Sequence, residues 1–122
     1  RSRGLGDVYK RQTFAKAHIA SYEQQLGSSN FNKELYGNGP VTRPGVKYTI
    51  IEGRYDDTVV PFTNAFLHEP GVKNILVQDT CRNDHASHVN FTYDVNVYQM
   101  AVNALDRDHA QPVTCVPQPF IG

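Results

Sequence analysis

Apolar and polar positions along this chain switch between helical and strand spacing, with breaks at short Gly- and Pro-containing segments. From Thr13 to Leu26, Phe14, Ala17, His18, Tyr22 and Leu26 fall near one face, which predicts an amphipathic helix. Ser28 or Ser29 can cap a second short helix through Leu35, and Gly37 ends it. Asn38 to Pro44 reads as a loop. Lys47 to Glu52 is rich in β-branched and aromatic residues and predicts a strand. Phe62 to Leu67 predicts a short helical turn, and Val72 to Gln78 a second strand carrying Val72, Ile75, Leu76 and Val77. Thr80 to Asn90 is a polar, histidine-containing loop. Asp94 is the expected N-cap of a helix reaching about Leu105, whose apolar positions Val95, Tyr98, Val102 and Leu105 recur at helical spacing. Strand, loop, short helix, strand, loop, helix is the βαβα order of an α/β protein, a mostly parallel sheet with flanking helices.

Composition changes this picture at the N-terminus. Residues 2–12, Ser-Arg-Gly-Leu-Gly-Asp-Val-Tyr-Lys-Arg-Gln, resemble a sequencing-library adapter translated in frame. Residues 1–12 are therefore set aside as adapter-derived, and 13–122 is read as the C-terminal portion of a single α/β domain. The remainder holds 8 basic and 11 acidic residues, a net charge of −3, so no basic patch is left to attract a nucleic-acid backbone. No apolar run approaches the roughly 20 residues of a transmembrane segment. A parallel sheet is normally covered on both faces, so an incomplete one is expected to be marginally stable alone.

The chemistry concentrates in two loops. Asp56 and Asp57 follow the first predicted strand in Gly53-Arg54-Tyr55-Asp56-Asp57-Thr58-Val59-Val60-Pro61, and His88 follows Asp56 by 32 residues. Loops leaving the carboxyl ends of parallel strands are where open α/β sheets place reactive groups. A histidine acting as a base must be held in one tautomer by a carboxylate. In a Ser…Asp…His order the serine lies upstream in a G-x-S-x-G elbow, and this chain contains no such motif. The nucleophile is therefore expected outside these residues. A turn or cap role for either aspartate is the bland alternative. A zinc site on Asp84, His85 and His88 is another, although no Cys or Glu completes a familiar spacing. Ser87 lacks a glycine frame, and His18, His68 and His109 receive no role. Asn90-Phe91-Thr92 matches a glycosylation sequon.

Cys81 lies just after the second predicted strand, in the loop that also carries His88, and Cys115 lies in the Pro-containing tail from Gln111 to Gly122. A disulfide between them would pin the tail to the histidine loop and would require an oxidising compartment, hence secretion. Two unpaired thiols remain the alternative at this point.

Four stretches carry a family resemblance: Pro44 to Ile51, Arg54 to Phe62, Val72 to Asp79 and Asn103 to Asp106. From about Ser28 to Cys115 the chain resembles secreted bacterial lipases and esterases of the α/β-hydrolase superfamily, particularly the actinobacterial class. It is similar, more distantly, to the fungal lipase B type. The family's acid stands in Tyr-Asp-x-x-Val-x-Pro, which selects Asp56; Asp57 fits a looser D-x-V-V-P pattern and is the alternative acid. The family's histidine follows a cysteine by seven residues, which selects His88 after Cys81. The resemblance also implies the Cys81–Cys115 disulfide and hydrolysis of lipid or other carboxylic esters, and it implies no cofactor. A non-catalytic secreted domain that keeps this fold but has lost its triad is the competing class.

Overall fold

The computed structural model of the 122-residue chain describes residues 20–26, 28–37 and 39–122. It divides into two compact units between Val46 and Lys47. The predicted helix from Thr13 falls partly outside the described residues; its described part is α1, Ala20–Gln25. In the same unit α2 spans Asn30–Tyr36. Ser29 is its N-cap and accepts from the Asn32 N–H at 3.1 Å, as a serine oxygen does for an otherwise orphaned donor. Gly37 closes it at φ 57°, a left-handed conformation that glycine adopts without steric cost. No residue of α2 is buried.

The second unit holds the sheet. Strands β1, Tyr48–Glu52, and β2, Val72–Leu76, pair in parallel, with Tyr48 opposite Val72 and Glu52 opposite Leu76. A single turn of 3-10 helix, Phe62–Ala65, is the only regular element in the connection between them among the described residues. The protein is thus a small mixed α/β structure with a two-stranded parallel sheet.

The second strand is shorter than its apolar run suggests. It stops at Leu76, and Val77–Thr80 forms a helical turn, α3, closed by the Cys81 N–H on the Val77 carbonyl at 2.8 Å. Packing outweighs β propensity there: Val77 is fully buried and Gln78 turns inward between two loops. Helix α4, Val95–Leu105, starts where Asp94 caps the Asn96 N–H at 2.8 Å and the Val97 N–H at 3.4 Å.

The burial of α4 departs from its sequence pattern. Tyr98 and Leu105 are 70% and 89% exposed, and Val95 and Val102 also face out. The buried side carries Asn96 and Met100, with Val97 packed beside them. The core consists of Val77, Cys81 and Met100, flanked by Ile51, Ile75, Phe91, Val97, Val113 and Cys115. Asn96 belongs inward because its amide fastens the tail: Oδ1 accepts the Val116 N–H at 2.8 Å, and Nδ2 donates to the Val116 carbonyl at 2.8 Å. Helical periodicity locates a stripe of apolar residues but cannot anticipate a polar residue that is satisfied inside.

Cys81 and Cys115 form a disulfide with their Cα atoms 5.4 Å apart, which removes the two-thiol alternative. Closing a loop of sequence separation 34 is worth about 3–4 kcal/mol in the chain-entropy account. The tail beyond it has little regular structure, yet it is tied down. Gln118 bridges to Asp84 as a lone β-partner, accepts the His85 N–H at 3.0 Å and donates to Asn83 at 3.3 Å. No described helix is long and apolar enough to cross a membrane.

Candidate active site

The acid turn begins at Gly53, where an added Cβ would lie 3.1 Å from the Phe91 ring, a tight approach that the ring would have to relieve by shifting. The Asp56 N–H then donates to the Gly53 carbonyl at 3.2 Å and closes the turn. Asp56 Oδ1 accepts two backbone donors, Thr58 N–H and Val59 N–H, each at 2.8 Å. An aspartate bonding its own downstream backbone makes a rigid Asx turn, so its carboxylate is oriented before any partner arrives.

That partner is His88. Its Nδ1 lies 3.0 Å from Asp56 Oδ2 and 3.2 Å from Oδ1. The Asp56 side chain is 6% exposed and the His88 side chain 48%. A carboxylate on Nδ1 favours the tautomer that carries its proton there and leaves the Nε2 lone pair available. Among the described residues Nε2 has no partner, and half of the ring is open to solvent. Asp57 takes a different part: its Oδ1 accepts the His88 backbone N–H at 3.3 Å. One aspartate holds the ring and its neighbour holds the main chain.

Gln78 joins the two loops from below. Its Oε1 accepts the Arg54 N–H at 2.8 Å, and its Nε2 donates to the Asp84 carbonyl at 2.8 Å. It is buried, with both ends of the amide satisfied. Nothing in the sequence pattern singled out Gln78, because an amide at the end of an apolar run carries no spacing signal.

The residues of the alternative zinc site are dispersed. Asp84 is fully buried, with Oδ1 accepting the Ala86 N–H at 3.0 Å and Oδ2 the Asn96 amide at 2.9 Å. His85 stacks edge-on against Tyr55 with ring centroids 4.8 Å apart, and His88 faces Asp56. Among the described residues no three His, Cys, Asp or Glu groups gather as metal ligands. Ser87 is fully buried, with Oγ 2.6 Å from the Ile121 carbonyl and 2.9 Å from Asn90 Oδ1. A hydroxyl so enclosed has no approach for a substrate. Asn90 of the sequon is buried too, its amide donating to the Pro119 carbonyl at 2.9 Å. His109 pairs with Asp106 on the surface, and His18 lies outside the described residues.

Two buried carboxyls carry raised pKa values. Burial pushes Asp94 up to about 7, and its contact with the Asp84 carboxyl adds to this, against the pull of the Asn96 N–H. Asp94 Oδ2 is buried and has no hydrogen-bond partner among the described residues. Burial likewise pushes Glu52 up to about 7, opposed by the Gly53 N–H and reinforced by the charge of Asp56. Glu52 was not singled out in the sequence, although a carboxylate ending an apolar strand just before a glycine is the kind of signal that could have found it.

An open cavity of about 390 Å³, lined by Arg54, Tyr55, Gln78, Asp79 and Arg82, lies beside the acid turn and does not include Asp56 or His88. Of the pair itself, the His88 side chain is half exposed and the Asp56 side chain is nearly buried. The chain matches no protein-family model, and a search of curated proteins finds no match to it.

Proposed function

We propose that this chain supplies the acid and the base of a carboxylic-ester hydrolase of the α/β-hydrolase kind, acting on lipid or related esters. The observation that carries this reading is the Asp56–His88 pair: a carboxylate locked by two backbone donors, both of its oxygens within 3.2 Å of Nδ1, and an imidazole side chain about half exposed. The resemblance of Arg54 to Phe62 and of Cys81 to Val89 to secreted lipases supports it. The disulfide agrees with a secreted protein.

In the proposed chemistry a serine contributed by sequence outside these residues attacks the ester carbonyl. His88 Nε2 takes the serine proton as the new C–O bond forms, then returns it to the departing alcohol. Water next attacks the acyl-serine, and His88 again takes and returns a proton, releasing the acid. Asp56 orients the ring and stabilises the imidazolium in both halves without itself taking the proton.

The test is to sequence the DNA upstream of the Thr13 codon and express the continuous reading frame. A G-x-S-x-G elbow, labelling of its serine by a fluorophosphonate and hydrolysis of p-nitrophenyl butyrate are the expected results. A frame in which that serine is replaced, together with no labelling and no hydrolysis, overturns the enzyme reading in favour of a non-catalytic domain.

A further inference from the structure

One face of the sheet carries a cavity that the acid–base pair does not use. Side chains alternate along paired strands, so Thr49 and Ile51 of β1 and Lys73 and Ile75 of β2 share a face. It is the face on which Ile51 and Ile75 pack against the core around Met100 of α4. Between these strands, the C-terminal half of α4 and the tail lies a partly open cavity of about 340 Å³. Its floor is apolar, formed by Ile75, Met100, Ala104 and Val113. Met100 is 5% exposed, so the floor is the edge of the core itself. The tail side is fixed in advance. Asn103 Oδ1 accepts the Gln111 N–H at 2.9 Å, and its Nδ2 donates to the Gln111 carbonyl at 2.8 Å, which holds the neighbouring Ala110 and Val113 in the wall.

The charge on this cavity has one sign. Lys73 and Arg107 line it, both exposed, and no carboxylate does. Arg107 Nη2 lies 3.4 Å from Thr49 Oγ1, which turns the guanidinium back towards β1. Neither cation forms an ion pair among the described residues. The cavity beside the acid turn differs, because Asp79 lines it together with its two arginines. An apolar floor with a few polar groups around it is the usual build of a small-molecule site. A guanidinium fork beside an ammonium selects an anionic head. The volume lies near the lower end for such sites, which suits one chain rather than two.

We propose that this cavity binds a single-chain amphiphilic carboxylate, its alkyl chain lying on Ile75, Met100, Ala104 and Val113 and its head meeting Arg107 and Lys73. Neither Asp56 nor His88 lines the cavity, so the inference stands apart from the hydrolase reading. The acid released by the proposed hydrolysis belongs to the same chemical class as the ligand.

Met100 is the sole methionine of the chain, so carbon-13 methyl labelling of methionine in the 122-residue protein gives one signal, from the cavity floor. Titration with sodium octanoate should move that signal saturably and produce a nuclear Overhauser contact between the Met100 methyl and the alkyl chain. Acetate has the head without the chain, and octanol the chain without the head. Each should bind at least about tenfold more weakly than octanoate. Lys73→Gln combined with Arg107→Gln, both at exposed positions, should weaken octanoate binding at least about tenfold and leave octanol binding unchanged. The proposal is overturned if octanoate gives no saturable shift, if acetate or octanol binds as tightly as octanoate, or if the double variant keeps its octanoate affinity. The Asp56–His88 pair is tested separately by serine labelling and ester hydrolysis, so none of these results bears on it.

Discussion

Among the described residues two histidine–aspartate pairs have nearly the same length. His88 and Asp56 lie 3.0 Å apart, and His109 and Asp106 lie 2.9 Å apart. Distance does not distinguish them; setting does. His109 and Asp106 are three residues apart on one turn, with side chains 80% and 60% exposed. Such a surface pair is screened by water and pays side-chain entropy for little gain. His88 and Asp56 come from loops 32 residues apart, and the carboxylate is buried and fixed by two backbone donors. A local pair forms because the turn brings its members together. The distant pair exists only because Gln78, the parallel strands and the tethered tail hold two loops in register. Pre-organisation, rather than the presence of a carboxylate near an imidazole, marks a candidate acid–base site.

Four measurements would break or sharpen that contrast. The largest effect concerns activity. In the continuous protein carrying an elbow serine, His88→Ala or Asp56→Asn should lower kcat for p-nitrophenyl butyrate by roughly 10²–10⁴-fold. His109→Ala and Asp106→Asn should leave it within about twofold, as expected of a surface ion pair. Equal losses from both pairs would erase the distinction.

Next is the frame around the distant pair. Replacing both Cys81 and Cys115 by alanine should cost about 3–4 kcal/mol in urea unfolding. Met100→Ala, which empties part of the small core beneath α4, should cost about 2–5 kcal/mol. Leu105→Ala, on the exposed side of the same helix, should stay within about 0.5 kcal/mol. A larger cost at Leu105 would show that the outward stripe of α4 is covered in solution.

The pH dependence of stability has a definite sign. Asp94 and Glu52 both have folded pKa values raised to about 7, above those of an unfolded chain. The folded state therefore binds more protons between pH 4 and 7, and the contribution of these groups is present at low pH and lost as pH rises through about 7. The urea midpoint should be lower at pH 8 than at pH 6. Asp94→Asn, which keeps an N-cap for α4, should reduce that fall while Glu52 preserves part of it. A midpoint that rises with pH would contradict the burial of both groups.

The smallest effect belongs to the local pair. Disrupting it with His109→Ala should change unfolding free energy by no more than about 0.5 kcal/mol, since its members are surface groups.

Much of this was legible in the residues, and the limits follow from range. Both strands of the parallel pair, the Ser29 and Asp94 caps and the Gly37 stop are set by neighbours a few positions apart, so local chemistry reveals them. The loops that carry Asp56 and His88 were legible from their order after the strands. Spacing after the strand did not separate the two aspartates; the resemblance selected Asp56, and in the structure Asp56 reaches the His88 ring while Asp57 reaches its backbone N–H. The strand end at Leu76 was missed because Val77 and Gln78 read as continued strand, while their burial depends on loops far along the chain.

The sequence by itself determined the short elements, the parallel βα order and the small set of groups able to act as acid and base. Periodicity, capping and turn chemistry act within a turn or two, and they are written in consecutive residues. The tertiary structure alone decided which side of α4 is buried, that Gln78 joins the two loops and that the tail closes over the histidine loop. Each of these depends on desolvation and on hydrogen bonds between segments that are distant in the chain, and no local pattern encodes which distant partner will satisfy a buried polar group.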